Sequence, residues 1–185
     1  MNPKAYLIFH LNLAFSSIDK LDWPTVIERC YWPLLEMISD HEIPLGIEVT
    51  GWTLNSIFET DPKWVNTFKQ LLLDGKCELV GSGYCQIISP ICPYEINTRN
   101  HELGFQAYEN LLEVRPSLAF INEMTFSDSM VNVLSDVGYS GFVMDGDNTK
   151  LALEYEKVSY SDMPKSAKGI GKSELPVLWG DSILF

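Results

Sequence analysis

Positive charge is scarce in this chain. Its 185 residues hold 13 Lys and Arg against 25 Asp and Glu, a formal net charge of −12. That excess repels phosphate backbones and anionic lipid, so nucleic acid and membrane surfaces are poor partners. Long apolar runs are also missing. The segment after Met1-Asn2-Pro3-Lys4 carries only enough apolar residues for a short strand, too few for a signal sequence or a membrane span. The four cysteines, Cys30, Cys77, Cys85 and Cys92, include no CxxC pair, which argues against a zinc ribbon or a redox motif. Cys77 and Cys85 lie in or near apolar strand sequence and read as small hydrophobes. A reducing, cytoplasmic setting follows as the default. There is no GxxxxGK[ST] and no GxGxxG entering a helix, so the pattern calls for no nucleotide cofactor.

Apolar and aromatic residues are plentiful. Hydrophobic residues make up 46% of the chain, with 5 Trp, 8 Tyr and 9 Phe. Most of these rings belong to a core, yet sugars also present apolar faces that stack on aromatics. A neutral oligo- or polysaccharide fits the charge balance better than an ionic ligand does.

Strand and helix patterns alternate along the chain. Strands are expected at Ala5–Phe9, Ile43–Val49, Glu78–Val80, Leu118–Ile121 and Gly141–Met144. Helical spacing is found over Pro24–His41, near Thr53–Glu59, from Asp61-Pro62 to Gly75, over Tyr94–Leu112, and from Ser127-Asp128 to Gly138. In the fourth of these, Ile96, Leu103, Ala107 and Leu111 are the expected inward face. Asn148–Glu174 is polar, contains Pro164, Gly169 and Gly171, and reads as an extended or irregular excursion. Leu175–Trp179 and Ser182–Phe185 look like further strands. The chain stops on an apolar run, so residues 1–185 are expected to be part of one barrel domain truncated at its C-terminus. The alternation implies an α/β fold with a parallel sheet and outer helices.

Polar groups gather where the strands end. His10 and Asn12 follow the first. Glu48 lies late in the second, with Thr50 and Trp52 beyond it. Gly81-Ser82-Gly83-Tyr84 follows the third, Asn122-Glu123 the fourth, and Asp145 the fifth, with Asp147 beyond it. In an α/β barrel the carboxyl ends of the strands converge on one mouth, where reacting groups sit. Glu123 is the sharpest of these residues, because it comes directly off the apolar run Leu118-Ala-Phe-Ile121, where burying a carboxylate is costly unless it is hydrogen-bonded or functional. The reading requires its carboxyl to face the same cavity as His10 and Tyr84. Glu48 could point inward or pair with His10 or an Arg, and structural support is as good a reading of it as catalysis. The glycines around Ser82 would let a ligand approach the backbone. Asp145 and Asp147 flank Gly146, which fits either a turn or a place at the mouth. His41 and His101 show no ligand spacing, and Asn12 is a poor ligand beside His10, so no metal is expected.

The order of these motifs resembles the N-terminal catalytic barrel of glycoside hydrolase family 57. Phe9-His-Leu-Asn12 resembles the family's first motif, Glu78-Leu-Val-Gly-Ser-Gly-Tyr84 its second, and Phe120-Ile-Asn-Glu123 its third. Gly138-Tyr-Ser-Gly-Phe-Val-Met-Asp145 is similar to the strand that follows. The first motif often reads His-Gln-Pro elsewhere in the family, and Phe120 stands where Trp is common. The resemblance implies the N-terminal portion of a (β/α)7-type distorted barrel and a retaining enzyme acting on α-glucans. Glu123 would be the nucleophile, with His10, Asn12, Glu48, Trp52, Ser82, Tyr84 and Asp145 shaping the sugar subsite. It implies no cofactor, and a general acid beyond Phe185. The rival readings are a metal-dependent polysaccharide deacetylase on a related barrel and a non-catalytic carbohydrate-binding barrel.

Overall fold

Three short apolar segments pair in parallel to start the chain's sheet structure. The computed structural model describes residues 6–13, 17–147 and 162–181. Strand β1 (Leu7–Leu11) lies beside β2 (Leu45–Val49), which lies beside β3 (Glu78–Gly81), with His10 opposite Glu48 and Val49 opposite Gly81. Every residue of β2 is buried, as expected of a strand flanked on both edges and covered on both faces. The first strand runs to Leu11, so His10 lies within it rather than after it, as the sequence had implied.

Two compact units are defined by the chain's contacts. The first contains Met1–Cys85 and Asn100–Pro116; the second contains Gln86–Arg99 and Ser117–Phe185. In the first unit, α1 (Trp23–Val26), a π-helical turn (Ile27–Tyr31) and α2 (Trp32–His41) follow one another without a break. Pro33 explains the π turn. Its ring clashes with the carbonyl four residues back and it lacks an N–H, and the widened turn absorbs both defects. The Trp32 N–H accordingly donates to Ile27 O, five residues back. Helix α3 (Gly51–Thr60) is capped by Thr50, whose hydroxyl accepts from Thr53 N at 3.2 Å. Helix α4 (Pro62–Leu73) starts at the expected Asp-Pro, with the Asp61 carboxylate accepting from Lys63 N and Trp64 N at 3.1 and 3.2 Å. Its inward face carries Trp64, Val65, Phe68 and Leu71, and Trp64 packs against Phe68 with ring centroids 5.2 Å apart.

Helix α5 spans Tyr94–Leu112, the range its spacing predicts, and it buries the expected Ala107 with Leu103 and Leu111 half-buried, but polar and aromatic residues make up most of its buried face. Ile96 is exposed, and the buried positions include Asn97, Asn100, His101, Phe105, Tyr108 and Leu112. The apolar count misled here because the polar members of that face satisfy loop backbone. Asn97 Nδ2 donates to Ser89 O and Cys92 O, both at 3.0 Å. Asn100 exchanges two bonds with the Cys85 backbone, at 2.8 and 3.0 Å.

The second unit pairs β4 (Leu118–Phe120), β5 (Gly141–Asp145) and β7 (Glu174–Gly180) in parallel, with β6 (Ser166–Lys168) antiparallel on β7. The β6–β7 hairpin corrects the expectation of an irregular stretch up to Glu174. Residues 148–161 and the strand expected at Ser182–Phe185 lie outside the described residues. Helix α6 (Asp128–Val137) buries Met130, Val131, Val133 and Leu134 and ends on Gly138 at φ 102°. Ser127 is its N-cap by position, but its hydroxyl bonds Ser129 Oγ at 3.0 Å and caps no helix N–H. The expected α/β class, with parallel strands separated by helices, is what the structure shows. No described helix is long and apolar enough to cross a membrane.

Candidate active site

The parallel register of the first unit brings three of the predicted residues together. His10 and Glu48 are opposite each other on β1 and β2, and Ser82 follows the last residue of β3. Glu48 is fully buried, and both of its oxygens are engaged: Ser82 Oγ donates to Oε1, and the His10 imidazole meets Oε2 through Nδ1. The contact through Nδ1 fixes the His10 ring and leaves Nε2 turned away from Glu48. Of the two roles open to Glu48, the structure shows support: it orients His10 and Ser82. Burial of its charge is offset by these two partners.

Helix α5 holds the turn after β3. The phenol of Tyr108, wholly buried, donates to Val49 O at 2.6 Å, accepts from Ser82 N at 3.3 Å and lies 3.2 Å from Gly83 O. Burial pushes its ionisation well above the usual phenol range. The first amides of α3 complete the clamp, with Gly51 N donating to Gly83 O at 2.9 Å and Trp52 N to Tyr84 O at 2.8 Å. Gly83 has φ 86°, and a Cβ there would meet Asn100 Nδ2 at 2.4 Å. A Cβ on Gly104 would likewise meet the Gly83 backbone at 2.6 Å. The close approach these glycines permit is therefore that of helix α5, where the sequence had suggested a ligand.

Trp52 and Tyr84 stand beside this cluster. Their rings meet edge to face at 6.2 Å, and Asn55 Nδ2 donates to the Tyr84 hydroxyl at 3.2 Å. Asn12 is half-buried just after β1, and its backbone N–H bonds the Tyr31 phenol. Tyr108, Asn100 and Asn55 were not singled out from the sequence. A polar stripe at helical spacing, Asn97-Asn100-His101-Gly104-Tyr108, was the available signal for the first two.

In the second unit, Glu123 and Asp145 lie at the carboxyl ends of the adjacent parallel strands β4 and β5. Asp145 is buried, and its Oδ1 accepts from Asp147 N at 2.7 Å, so Asp145-Gly146-Asp147 does form a turn. Glu123 is exposed, contrary to the expectation of a costly burial, because β4 ends at Phe120 and the chain turns outward after the buried Ile121 and Asn122. It sits in a short 3-10 turn (Asn122–Met124) with φ 55°, followed by Met124 at φ 48°. Two successive non-glycine residues in the left-handed region cost roughly 1–2 kcal/mol each. The turn is held by Met124 N bonding Ile121 O at 3.1 Å and by Phe126 stacked on Phe142 at 6.0 Å.

Among the described residues no group of three or more His, Cys, Asp or Glu side chains gathers to hold a metal ion. All four cysteines are free. Cys85 is exposed rather than packed as a hydrophobe, whereas burial pushes the Cys77 thiol up to about 12.

Solved carbohydrate-active enzymes share this parallel-stranded α/β scaffold. The structure is similar to a 4-alpha-glucanotransferase from Thermococcus litoralis (TM-score 0.79, 19% identity), covering 96% of this chain and 28% of that one. It is similar to an alpha-amylase from Thermotoga maritima (TM-score 0.74, 14% identity), covering 98% of this chain and 46% of that one. A branching enzyme from Pyrococcus horikoshii matches with TM-score 0.67 and 12% identity over 96% of this chain and 46% of its own. This chain thus spans less than half the length of each. The sequence pattern of glycosyl hydrolase family 57 matches residues 7–177, and the chain belongs to that family. The expected portion of a (β/α)7-type distorted barrel accords with the fold shared with these enzymes.

Proposed function

We propose that this chain is part of the catalytic barrel of a retaining enzyme that hydrolyses or transfers α-glucan chains, with Glu123 as its nucleophile. The observation that carries the reading is the backbone at Glu123. A carboxylate is held on a left-handed turn at the carboxyl end of a parallel strand, and such strain persists where surrounding structure enforces it and clusters at functional sites. Family membership and likeness to the glucanotransferase, amylase and branching enzyme support the substrate class.

In this mechanism Glu123 attacks the anomeric carbon as the glycosidic C–O bond breaks, and a second carboxyl group about 5–5.5 Å away protonates the departing oxygen. Water, or another sugar hydroxyl, then releases the glycosyl group with that second carboxyl acting as base. His10, fixed by Glu48, and Ser82, Asn12, Trp52, Tyr84 and Asp145 would position the sugar. A cytoplasmic setting goes with this reading.

The test is Glu123→Gln in the full-length protein, assayed on amylose. Loss of at least 1,000-fold in turnover is the expected result, about 4 kcal/mol of transition-state stabilisation. A mechanism-based fluoroglycoside should label the wild-type protein on Glu123, as seen by peptide mass spectrometry. Wild-type turnover in the variant, or a label on another residue, removes Glu123 as nucleophile. A crystal of the labelled protein whose sugar lies remote from His10 and Tyr84 removes those two from the subsite. Activity that appears only with added divalent metal, on acetylated glycan, would favour the deacetylase reading instead.

A further inference from the structure

Tyr31 is a buried tyrosine that the mechanism above does not use. It is 6% exposed and closes the π-helical turn Ile27–Tyr31, while its neighbour Cys30 faces outward. Turns of this kind are rare and recur at functional sites. The Tyr31 ring is seated on the fully buried Trp64 of α4, with centroids 6.1 Å apart at 55°. Its hydroxyl accepts the N–H of Asn12, and burial pushes its ionisation well above the usual phenol range, so it stays neutral.

The place of that bond gives it a consequence. The ladder between β1 and β2 ends at the pair Leu11 and Val49, and among the described pairings β2 is the one neighbour of β1. Asn12 is the first residue past the ladder, so strand pairing does not hold its amide. Side chains two apart on a strand share a face. Strand geometry carried one residue further therefore sets Asn12 beside His10, which meets Glu48. The Glu48 charge acts on both the Tyr31 and the Tyr108 phenols, so the two rings stand near it. Tyr108 ties down the ends of β2 and β3, and β1 receives its tie from Tyr31. We propose that Tyr31 is a positioning residue: through its bond to the Asn12 N–H it keeps the Asn12 side chain beside His10, on the face where substrate is met. Tyr31 itself does not touch the sugar. The proposal rests on the role given to Asn12 above and is independent of Glu123.

The experiment is a double-mutant cycle in the full-length protein, read as KM and kcat on amylose. Tyr31→Phe keeps the ring on Trp64 and removes the acceptor. It should raise KM about fivefold and leave kcat within about twofold, the mark of lost binding common to ground and transition states. Asn12→Ala should raise KM at least as much. Adding Tyr31→Phe to Asn12→Ala should then change KM by less than about 1.5-fold, because the first residue acts through the second. Amide exchange at Asn12 should quicken about tenfold in Tyr31→Phe. Should that variant fail to fold, 3-fluorotyrosine at position 31 keeps the hydroxyl as a weaker acceptor and should raise KM about twofold. A merely structural tyrosine would lower Tm and leave KM unchanged, or shift KM equally in both backgrounds, and either result overturns the positioning role alone. Unchanged KM in Asn12→Ala removes Asn12 from the subsite and Tyr31 with it. The nucleophile is decided separately by Glu123→Gln.

Discussion

Tyr108→Phe removes a single oxygen and should unfasten the ends of two strands. In the structure that oxygen gives its proton to Val49 O at 2.6 Å and takes one from Ser82 N at 3.3 Å, and Tyr108, Val49 and Ser82 are all buried. The phenylalanine ring keeps the apolar packing, so the loss is confined to polar groups left without partners. A buried donor or acceptor stranded in this way costs about 1–3 kcal/mol, and the space of one hydroxyl gives poor room for a replacement water. With the longer Ser82 contact counted at the low end, the variant should lose about 2–4 kcal/mol, which for a chain of this size lowers Tm by roughly 5–15 °C. Circular dichroism melts measure this directly, and amide exchange at Ser82 should speed up in parallel. Tyr94→Phe is the matched control: its hydroxyl meets Asp136 at an exposed position, and its removal should shift Tm by less than about 2 °C. If the two variants melt alike, the clamp by Tyr108 is not what holds the β2 and β3 ends.

Two further perturbations test neighbouring parts of the same unit. His101 is buried in α5, and desolvation lowers its pKa to about 4. Below pH 6.5 the unfolded chain therefore binds a proton that the folded chain refuses, so stability falls as pH drops from about 6.5 to 4, by about 3 kcal/mol in all. His101→Gln should flatten that part of the pH profile in urea titrations, and an unchanged slope would refute it. Gly83→Ala places a Cβ against Asn100 at φ 86°, where Asn100 is fixed by both of its bonds to Cys85. The loss should be roughly 2–4 kcal/mol, against about 1 kcal/mol for Gly75→Ala, which has φ 67° and nothing within 4 Å. Equal urea midpoints for the two alanine variants would show that crowding by helix α5 is not why Gly83 is a glycine.

The elements with local signals were the ones legible in the sequence. Asp61-Pro62 announced α4 because a carboxylate cap and an N–H-free first residue meet needs that arise within one turn. Gly138 marked the end of α6 for the same local reason, its positive φ. The inward face of α5 was read only in part because Asn97 and Asn100 are buried for what they bond, and those partners lie up to 15 residues away in the chain. Apolar periodicity carries no record of that. Of the candidate site, strand-end polarity pointed to His10, Glu48 and Ser82, and parallel register then brought them together. That Glu48 serves both the other two is a property of neighbouring strands and could not be read from any one segment.

The two acidic residues given most weight in the sequence came out in opposite environments. Glu48 lies inside a strand buried along its whole length, and it remains there because an imidazole and a hydroxyl from the strands on either side occupy its two oxygens. Glu123 follows a strand only three residues long, and it is exposed on a turn that L-residues adopt at a cost. Apolar sequence leading into a carboxylate is thus compatible with both outcomes. A buried acid with both oxygens occupied is suited to orient its neighbours, and an exposed acid on an enforced turn is suited to meet a substrate. On that physical distinction the proposed mechanism gives Glu48 a positioning role and Glu123 the reacting one. The assignment predicts different consequences for the corresponding amides: Glu48→Gln should disturb the folding and orientation of His10, while Glu123→Gln should leave stability near wild type and remove turnover.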